Sequence, residues 1–296
     1  MGKAMKGIVC PVITPIKDGV VDARAVDALV HFLEKSGVDG VFPSGSTGAF
    51  PLMDKDMHMS VIEAFRERVE KRMLFLPGTG RGSASETVVV SKKALKLGAD
   101  AVVVVTPYYM RVSQESMLKY FGSIAKEIDG PMILYNIPQL TGNALGVETI
   151  SSLAESHENI VGIKDSSMDF GFFSEVVNRF SDRLAIFQGM DNLLLPSLML
   201  GASGGVCGTT NFTGLAKKVH KMYELGSVEK ARKMQSLLTE IMSKAGSLPF
   251  PSNYNYLFYN TVMGRESTCA VPPLEEIGKK DGREAYGRLR PLLGKA

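Results

Sequence analysis

In the stretch IVGIKDSS, Ile160 to Ser167, a run of apolar and small residues suited to a buried parallel strand carries one lysine, Lys164, close to its end. An amine in apolar surroundings is disfavoured as ammonium and becomes a nucleophile toward a carbonyl carbon. The competing reading is an ion pair, with Asp165 or Asp191 as the carboxylate. Tyr135 ends the preceding apolar run, PMILYNIP, so its phenol can meet Lys164 across neighbouring strands and relay a proton to and from a carbinolamine. A packed aromatic with a satisfied hydroxyl is the alternative there. GSTG, Gly45 to Gly48, offers two hydroxyls and backbone N–H groups in a turn before a helix. Such a turn can hold a small carboxylate, although the same composition is common in ordinary loops.

Other candidate chemistry is weaker. GTGRG, Gly78 to Gly82, lacks the full dinucleotide spacing and reads as a tight turn. His31, His58, His157 and His220 fall in or beside predicted helices, away from the polar strand ends, so a zinc site of the usual ligand type is not expected, nor is any other cofactor. Cys10, Cys207 and Cys269 are odd in number and far apart, which predicts three buried thiols rather than a disulfide framework or a metal site.

These residues need elements to position them. Eight strand-like apolar runs begin near Ile8, Val38, Met73, Ala99, Pro131, Ile160, Leu184 and Gly204, with amphipathic segments between them. After Asp22, for example, Val26, Leu29, Val30 and Leu33 form one helical face that Gly37 closes, and Ser83 and Glu86 have capping-box spacing ahead of another helix. Eight such alternations predict a parallel sheet closed into a (β/α)8 TIM barrel over residues 1–225, which would hold the active site. From 226 to 296 the strand rhythm stops and a helical appendage packed on the barrel is expected. It opens with a face of Ala231, Met234, Leu238 and Ile241, and two more helices run through FPSNYNYLFYN and PPLEEIGKKDGREAYGRL. In a barrel of this kind the reacting groups sit where strands end. The endings PSGSTGAF, TPYYM, YNIP, KDSS, QGMD and GGVCGTTN thus converge on one rim.

Composition narrows the partners. The 296 residues are 45% hydrophobic and 22% charged, an ordinary globular balance. The net charge of +3 comes from 34 basic and 31 acidic residues without a basic block, which argues against nucleic acid and membrane surfaces as partners. The longest apolar runs are too short to span a bilayer, and MGKAMKGIVCPVITP lacks the apolar core of a signal peptide, so a cytoplasmic protein is expected.

The motifs GSTG, TPYY, YNIP, GIKDSS and GASGGVCGTTN, in order over nearly the whole chain, resemble the pyruvate-dependent class I aldolase family that includes dihydrodipicolinate synthase, N-acetylneuraminate lyase and archaeal 2-keto-3-deoxygluconate aldolase. The resemblance implies a Schiff base between Lys164 and pyruvate or another 2-keto acid, with Tyr135 shuttling the proton. It implies that Thr47 and neighbouring amides hold the pyruvate carboxylate, that the Ser46 and Thr47 hydroxyls extend the relay, and that Val206 lines the pyruvate pocket. Tyr109 matches the tyrosine that this family inserts into a neighbouring subunit's site, which implies a homo-oligomer, usually a tetramer built from two dimers.

Departures from the family pattern separate its members. Leu140 stands where the synthase has an arginine for the carboxylate of aspartate semialdehyde, and Ala49 where it usually has glutamate. Asp191-Asn192 and Gly208 replace the Asp-Glu pair and the serine common in sialic acid lyases. YNIPQ, KDSS, FQGMD and GGVCG are most similar to the archaeal aldolases. That likeness implies cleavage of 2-keto-3-deoxygluconate, its galactonate epimer or its 6-phosphate to pyruvate and an aldehyde. Ser166 and Asp191 would then touch substrate hydroxyls, and Arg111 and Lys244 would meet a terminal phosphate. The family also admits 4-hydroxy-tetrahydrodipicolinate synthase and N-acetylneuraminate lyase activities, and the fold alone admits a noncatalytic sugar-acid-binding regulator.

Overall fold

The computed structural model describes residues 5–267 and 270–296. The ten strands among them are β1 Gly7–Cys10, β2 Ile16–Lys17, β3 Val20–Val21, β4 Gly40–Val41, β5 Leu74–Phe75, β6 Val102–Val105, β7 Met132–Asn136, β8 Ile160–Asp165, β9 Ala185–Gln188 and β10 Gly204–Val206. All eight apolar runs become strands of one parallel sheet, in the spatial order β5-β4-β1-β10-β9-β8-β7-β6. Its two ends meet. Gly78, just beyond β5, bridges Val103 of β6, the Thr79 N–H donates to the Val103 carbonyl at 3.0 Å, and the Val103 N–H donates to Pro77 at 2.9 Å. The result is a closed (β/α)8 barrel, which leaves no unpaired edge. The short antiparallel pair β2 and β3 is an addition that periodicity could not signal, because two-residue strands have no pattern to read.

Alternation along each strand sorts the side chains. Val103, Val105, Ile133, Tyr135, Phe187 and Val206 fill the barrel interior together with Phe42 and Phe50. Their neighbours Val102, Val104, Met132, Leu134, Ile163 and Ile186 belong to the larger layer between strands and helices. Because Ile163 faces the helices, Lys164 must face inward, and a one-residue slip of β8 would reverse both.

The barrel helices are α1 Ala23–Lys35, α2 Lys55–Arg66, α3 Ala84–Lys96, α4 Gln114–Glu127, α5 Pro138–Thr141, α6 Val147–Ser156, α7 Phe170–Phe180, α8 Leu194–Leu200 and α9 Leu215–Glu224. In α1 the Asp22 carboxylate accepts the Arg24 and Ala25 N–H groups, Val26, Leu29, Val30 and Leu33 are buried, and Gly37 takes a left-handed φ of 69° just beyond the helix. Ser83 caps α3 by accepting the Glu86 N–H at 3.2 Å.

The chain ends in α10 Val228–Ala245, α11 Ser252–Thr261 and α12 Lys279–Leu293. α10 lies along α9 and buries Ala231, Leu238 and Ile241, with Met234 half-buried at the edge. The helix expected through PPLEEIG begins only at Lys279. Tandem prolines bias the backbone before them toward extended conformations and lack amide donors, so the helix waits until after Gly278. Cys10 and Cys207 are buried free thiols, whereas Cys269 lies outside the described residues.

Candidate active site

The register of β7 against β8 sets Tyr135 directly beside Lys164 and Asn136 beside Asp165. Lys164 is only 5% exposed, and its Nζ lies 4.0 Å from the Tyr135 ring centroid and 4.8 Å from that of Phe42. The ion-pair alternatives are both occupied elsewhere. Asp165 points toward the helix layer, where it accepts the Asn136 side-chain N–H at 2.8 Å and the Ser167 hydroxyl at 2.9 Å. Asp191 is held by the turn after β10, and among the described residues no carboxylate lies within ion-pairing distance of Lys164. Burial pushes the Asp165 carboxyl up to about 6 against the pull of its Asn136 and Ser167 donors.

The GSTG turn faces this amine from β4. Ser46 Oγ lies 3.3 Å from Tyr135 Oη, and Thr47 is 7% exposed on the same cavity wall. Ser44 and Ala49 on either side have φ of 57° and 58°, a left-handed backbone that costs roughly 1–2 kcal/mol per non-glycine residue. The turn is held by Thr14, whose hydroxyl donates to the Gly48 carbonyl at 2.9 Å, and by Gly78. A Cβ at Gly78 would sit 2.3 Å from the Ser44 carbonyl oxygen, so the GTGRG glycine serves close backbone packing beneath the site.

A cavity of about 400 Å³ opens over these groups. It gathers Lys164, Tyr135, Ser46, Thr47, Val206, Ser166 and Asp191, all of which come from the ends of five strands, β4, β7, β8, β9 and β10, or from the turns that follow them. Ser166 is 3% exposed, and its carbonyl accepts the Gln139 side-chain N–H at 2.5 Å. Asp191 has a geometry different from a hydroxyl contact waiting in open space. Its Oδ1 accepts the Gly208 N–H at 2.9 Å, and its Oδ2 accepts the Thr209 N–H at 2.9 Å and also the Thr209 hydroxyl. Burial raises its carboxyl above the usual range while these three donors pull it down. Its visible work is to fix the turn after β10 beside Val206.

Several wall residues lay outside the sequence reading. Gln139 and Gly189 sit inside the quoted motifs YNIPQ and FQGMD, and a Cβ at Gly189 would come within 1.9 Å of Ser166 Oγ. Met242, Phe250 and Tyr254 close the cavity from the C-terminal region, which corrects the expectation that residues 1–225 hold the whole site. No strand-end rule points to them, because they arrive by helix packing. Tyr109 is elsewhere. It is 93% exposed, with φ of 74°, on the edge of a neighbouring apolar depression shared with Phe50, Leu140 and Phe250. Arg111 and Lys244 do not line the Lys164 cavity, and Lys244 instead approaches Glu240 at 3.8 Å.

A closed parallel barrel with a buried, carboxylate-free lysine and a tyrosine at its C-terminal rim is the arrangement of a carbon–carbon lyase of the aldolase class. The chain belongs to the dihydrodipicolinate synthetase family, whose model matches residues 4–287. Among curated relatives, a 2-dehydro-3-deoxy-D-gluconate/2-dehydro-3-deoxy-phosphogluconate aldolase of Picrophilus torridus is 36% identical over 270 residues, covering 90% of this chain and 98% of that protein. A 4-hydroxy-tetrahydrodipicolinate synthase of Pelobacter propionicus is also 36% identical, over 80% of this chain and 81% of that one. Among solved structures, YagE, a prophage protein of the dihydrodipicolinic acid synthase family from E. coli K12 in complex with pyruvate, superposes with a TM-score of 0.92 at 29% identity over 97% of this chain and 98% of that one. The 2-keto 3-deoxygluconate aldolase from Picrophilus torridus does so with a TM-score of 0.87 at 36% identity, covering 92% and 98%. Names of both activities recur among the relatives, so family and enzyme class follow from them and the substrate does not. Among the described residues no helix is long and apolar enough to cross a membrane.

Proposed function

We propose that this enzyme is a Schiff-base aldolase that reversibly cleaves 2-keto-3-deoxygluconate to pyruvate and glyceraldehyde. The observation that carries the reading is the Lys164 amine, buried beside Tyr135 on the cavity and without a carboxylate partner. Nζ attacks the keto carbon, and loss of water from the carbinolamine leaves an iminium that withdraws electrons from C3. As a base takes the proton of the C4 hydroxyl, the C3–C4 bond breaks, glyceraldehyde leaves, and an enamine remains on Lys164. Protonation at C3 and addition of water return pyruvate and the free amine. Tyr135 Oη and Ser46 Oγ, 3.3 Å apart, are the relay that moves these protons. Thr47 and the N–H groups of its turn receive the substrate carboxylate, and Val206 and Ser166 bound the pyruvate end of the cavity. The Tyr109 hydroxyl completes the relay in a second copy, as in a homotetramer of two dimers; its exposure and left-handed backbone fit a residue built to be covered by a partner.

Charge favours the sugar acid over the alternatives. Among the described residues the cations and carboxylates of the cavity wall are Lys164 and Asp191 alone, and Leu140 also lines it. Apart from Lys164, the aldehyde half therefore meets no cation among the described residues of this cavity, as suits an uncharged glyceraldehyde rather than aspartate semialdehyde or a phosphate ester. Incubation with pyruvate and borohydride, followed by peptide mass spectrometry, should find a reduced pyruvyl group on Lys164. An unmodified Lys164 sinks the covalent mechanism, and faster turnover with aspartate semialdehyde than with glyceraldehyde sinks the substrate assignment.

A further inference from the structure

The loop between β6 and α4 carries the exposed Tyr109, yet its shape is set from another element. Asn143 follows Gly142, whose left-handed φ of 75° ends α5, and is itself 3% exposed. Its Nδ2 donates to the Pro107 and Met110 carbonyls, each at 2.8 Å, and its Oδ1 accepts the Val112 N–H at 2.9 Å. One planar amide thereby holds backbone groups on both sides of Tyr109. The start of the loop is tied to the same place, since the Thr106 hydroxyl donates to Thr141 Oγ1 at 3.0 Å and the Thr106 N–H donates to the Tyr135 carbonyl at 3.0 Å.

A left-handed φ on a tyrosine persists only where surrounding contacts over-determine it. The Tyr109 side chain, 93% exposed, does not supply that hold, and the buried Asn143 amide does. We infer that Asn143 is a positioning residue, which fixes the loop so that the Tyr109 hydroxyl reaches the active site of a second copy and acts on the reaction only through that hydroxyl. The inference rests on the proposed role of Tyr109 and on the Schiff-base reading.

The test is a double-mutant cycle on the full-length enzyme: wild type, Asn143→Ala, Tyr109→Phe and the double variant. The readout is the rate of deuterium exchange at C3 of pyruvate, followed by NMR, which requires the enamine but no aldehyde. Asn143→Ala alone should lower the maximal rate about 10- to 100-fold, the scale of an ångström-sized misplacement, with KM for pyruvate changed less than about 3-fold. Made in the Tyr109→Phe background, the same change should cost less than about 2-fold, because the hydroxyl it positions is already gone. Equal losses in both backgrounds, or a full rate in either single variant, overturn the inference. Should Asn143→Ala fail to fold, Asn143→Asp keeps the shape and the acceptor while removing both donors, and is put through the same cycle with the same criteria. Failure of the Schiff-base reading looks different, because wild type itself would then neither exchange nor trap pyruvate on Lys164.

Discussion

Two partly or fully buried lysines, Lys217 on α9 and Lys164 on β8, have different surroundings. At the N-terminal end Lys217 Nζ lies 2.7 Å from both carboxylate oxygens of Asp39, whose Oδ2 also accepts the Ile8 N–H at 2.7 Å. At the C-terminal end Lys164 has aromatic faces around it and, among the described residues, no carboxylate within ion-pairing distance. The first amine closes an electrostatic circuit that ties α9 to β1 and to the residue before β4. The second is left available, although Asp165 is its chain neighbour and Asp191 shares its cavity, because Asn136, Ser167, Gly208 and Thr209 occupy those carboxylates. Burial of a lysine therefore says little until its partners are counted, and the donors that engage nearby acids matter as much as the amine.

The contrast breaks most visibly by substitution at each end. Lys164→Met should lower turnover at least about 10³-fold, since among the described residues no other amine lines the cavity, while leaving the midpoint of urea unfolding unchanged or higher. Turnover within about 10-fold of wild type would remove Lys164 from the chemistry. Lys217→Met should do the reverse. It strands the Asp39 carboxylate in a partly buried site and should cost about 2–3 kcal/mol of stability by urea titration with kcat unchanged, the loss tempered by the residual solvent exposure of the pair. A drop in kcat with intact stability would show that the two ends are coupled.

A smaller effect sharpens the account of the engaged acids. Asp165 has its carboxyl raised to about 6 by burial, so its contribution to stability is fully present below the ordinary range near 3.8 and is lost as pH rises through about 6. Asp165→Asn keeps an acceptor for Asn136 and removes this titration. Between pH 4 and pH 7 the variant should therefore gain about 1–3 kcal/mol relative to wild type in denaturant titrations at each pH. Parallel stability profiles for the two proteins would show that Asp165 ionises in the fold as easily as in the unfolded chain.

Much of this was legible beforehand where a local rule applied. The continuous apolar runs located all eight barrel strands, and the positions at their ends brought Lys164, Tyr135, Ser46, Thr47, Ser166, Asp191 and Val206 to one cavity. Met242, Phe250 and Tyr254 were not legible, since a residue of a packed helix joins a cavity wall through the approach of whole elements. Asn143 was missed for a related reason. Its amide bonds residues more than thirty positions earlier in the chain, and nothing in TGNALG marks that reach.

Sequence by itself determined the eight-stranded parallel barrel and the strand ends at which the candidate residues collect, because a run of apolar residues and its polar ending are local features of the chain. Only the tertiary structure decided which charges are paired and which amine is left free, because pairing depends on distances between elements far apart in the chain. The same long-range packing fixed the C-terminal wall of the cavity and the strained presentation of Tyr109.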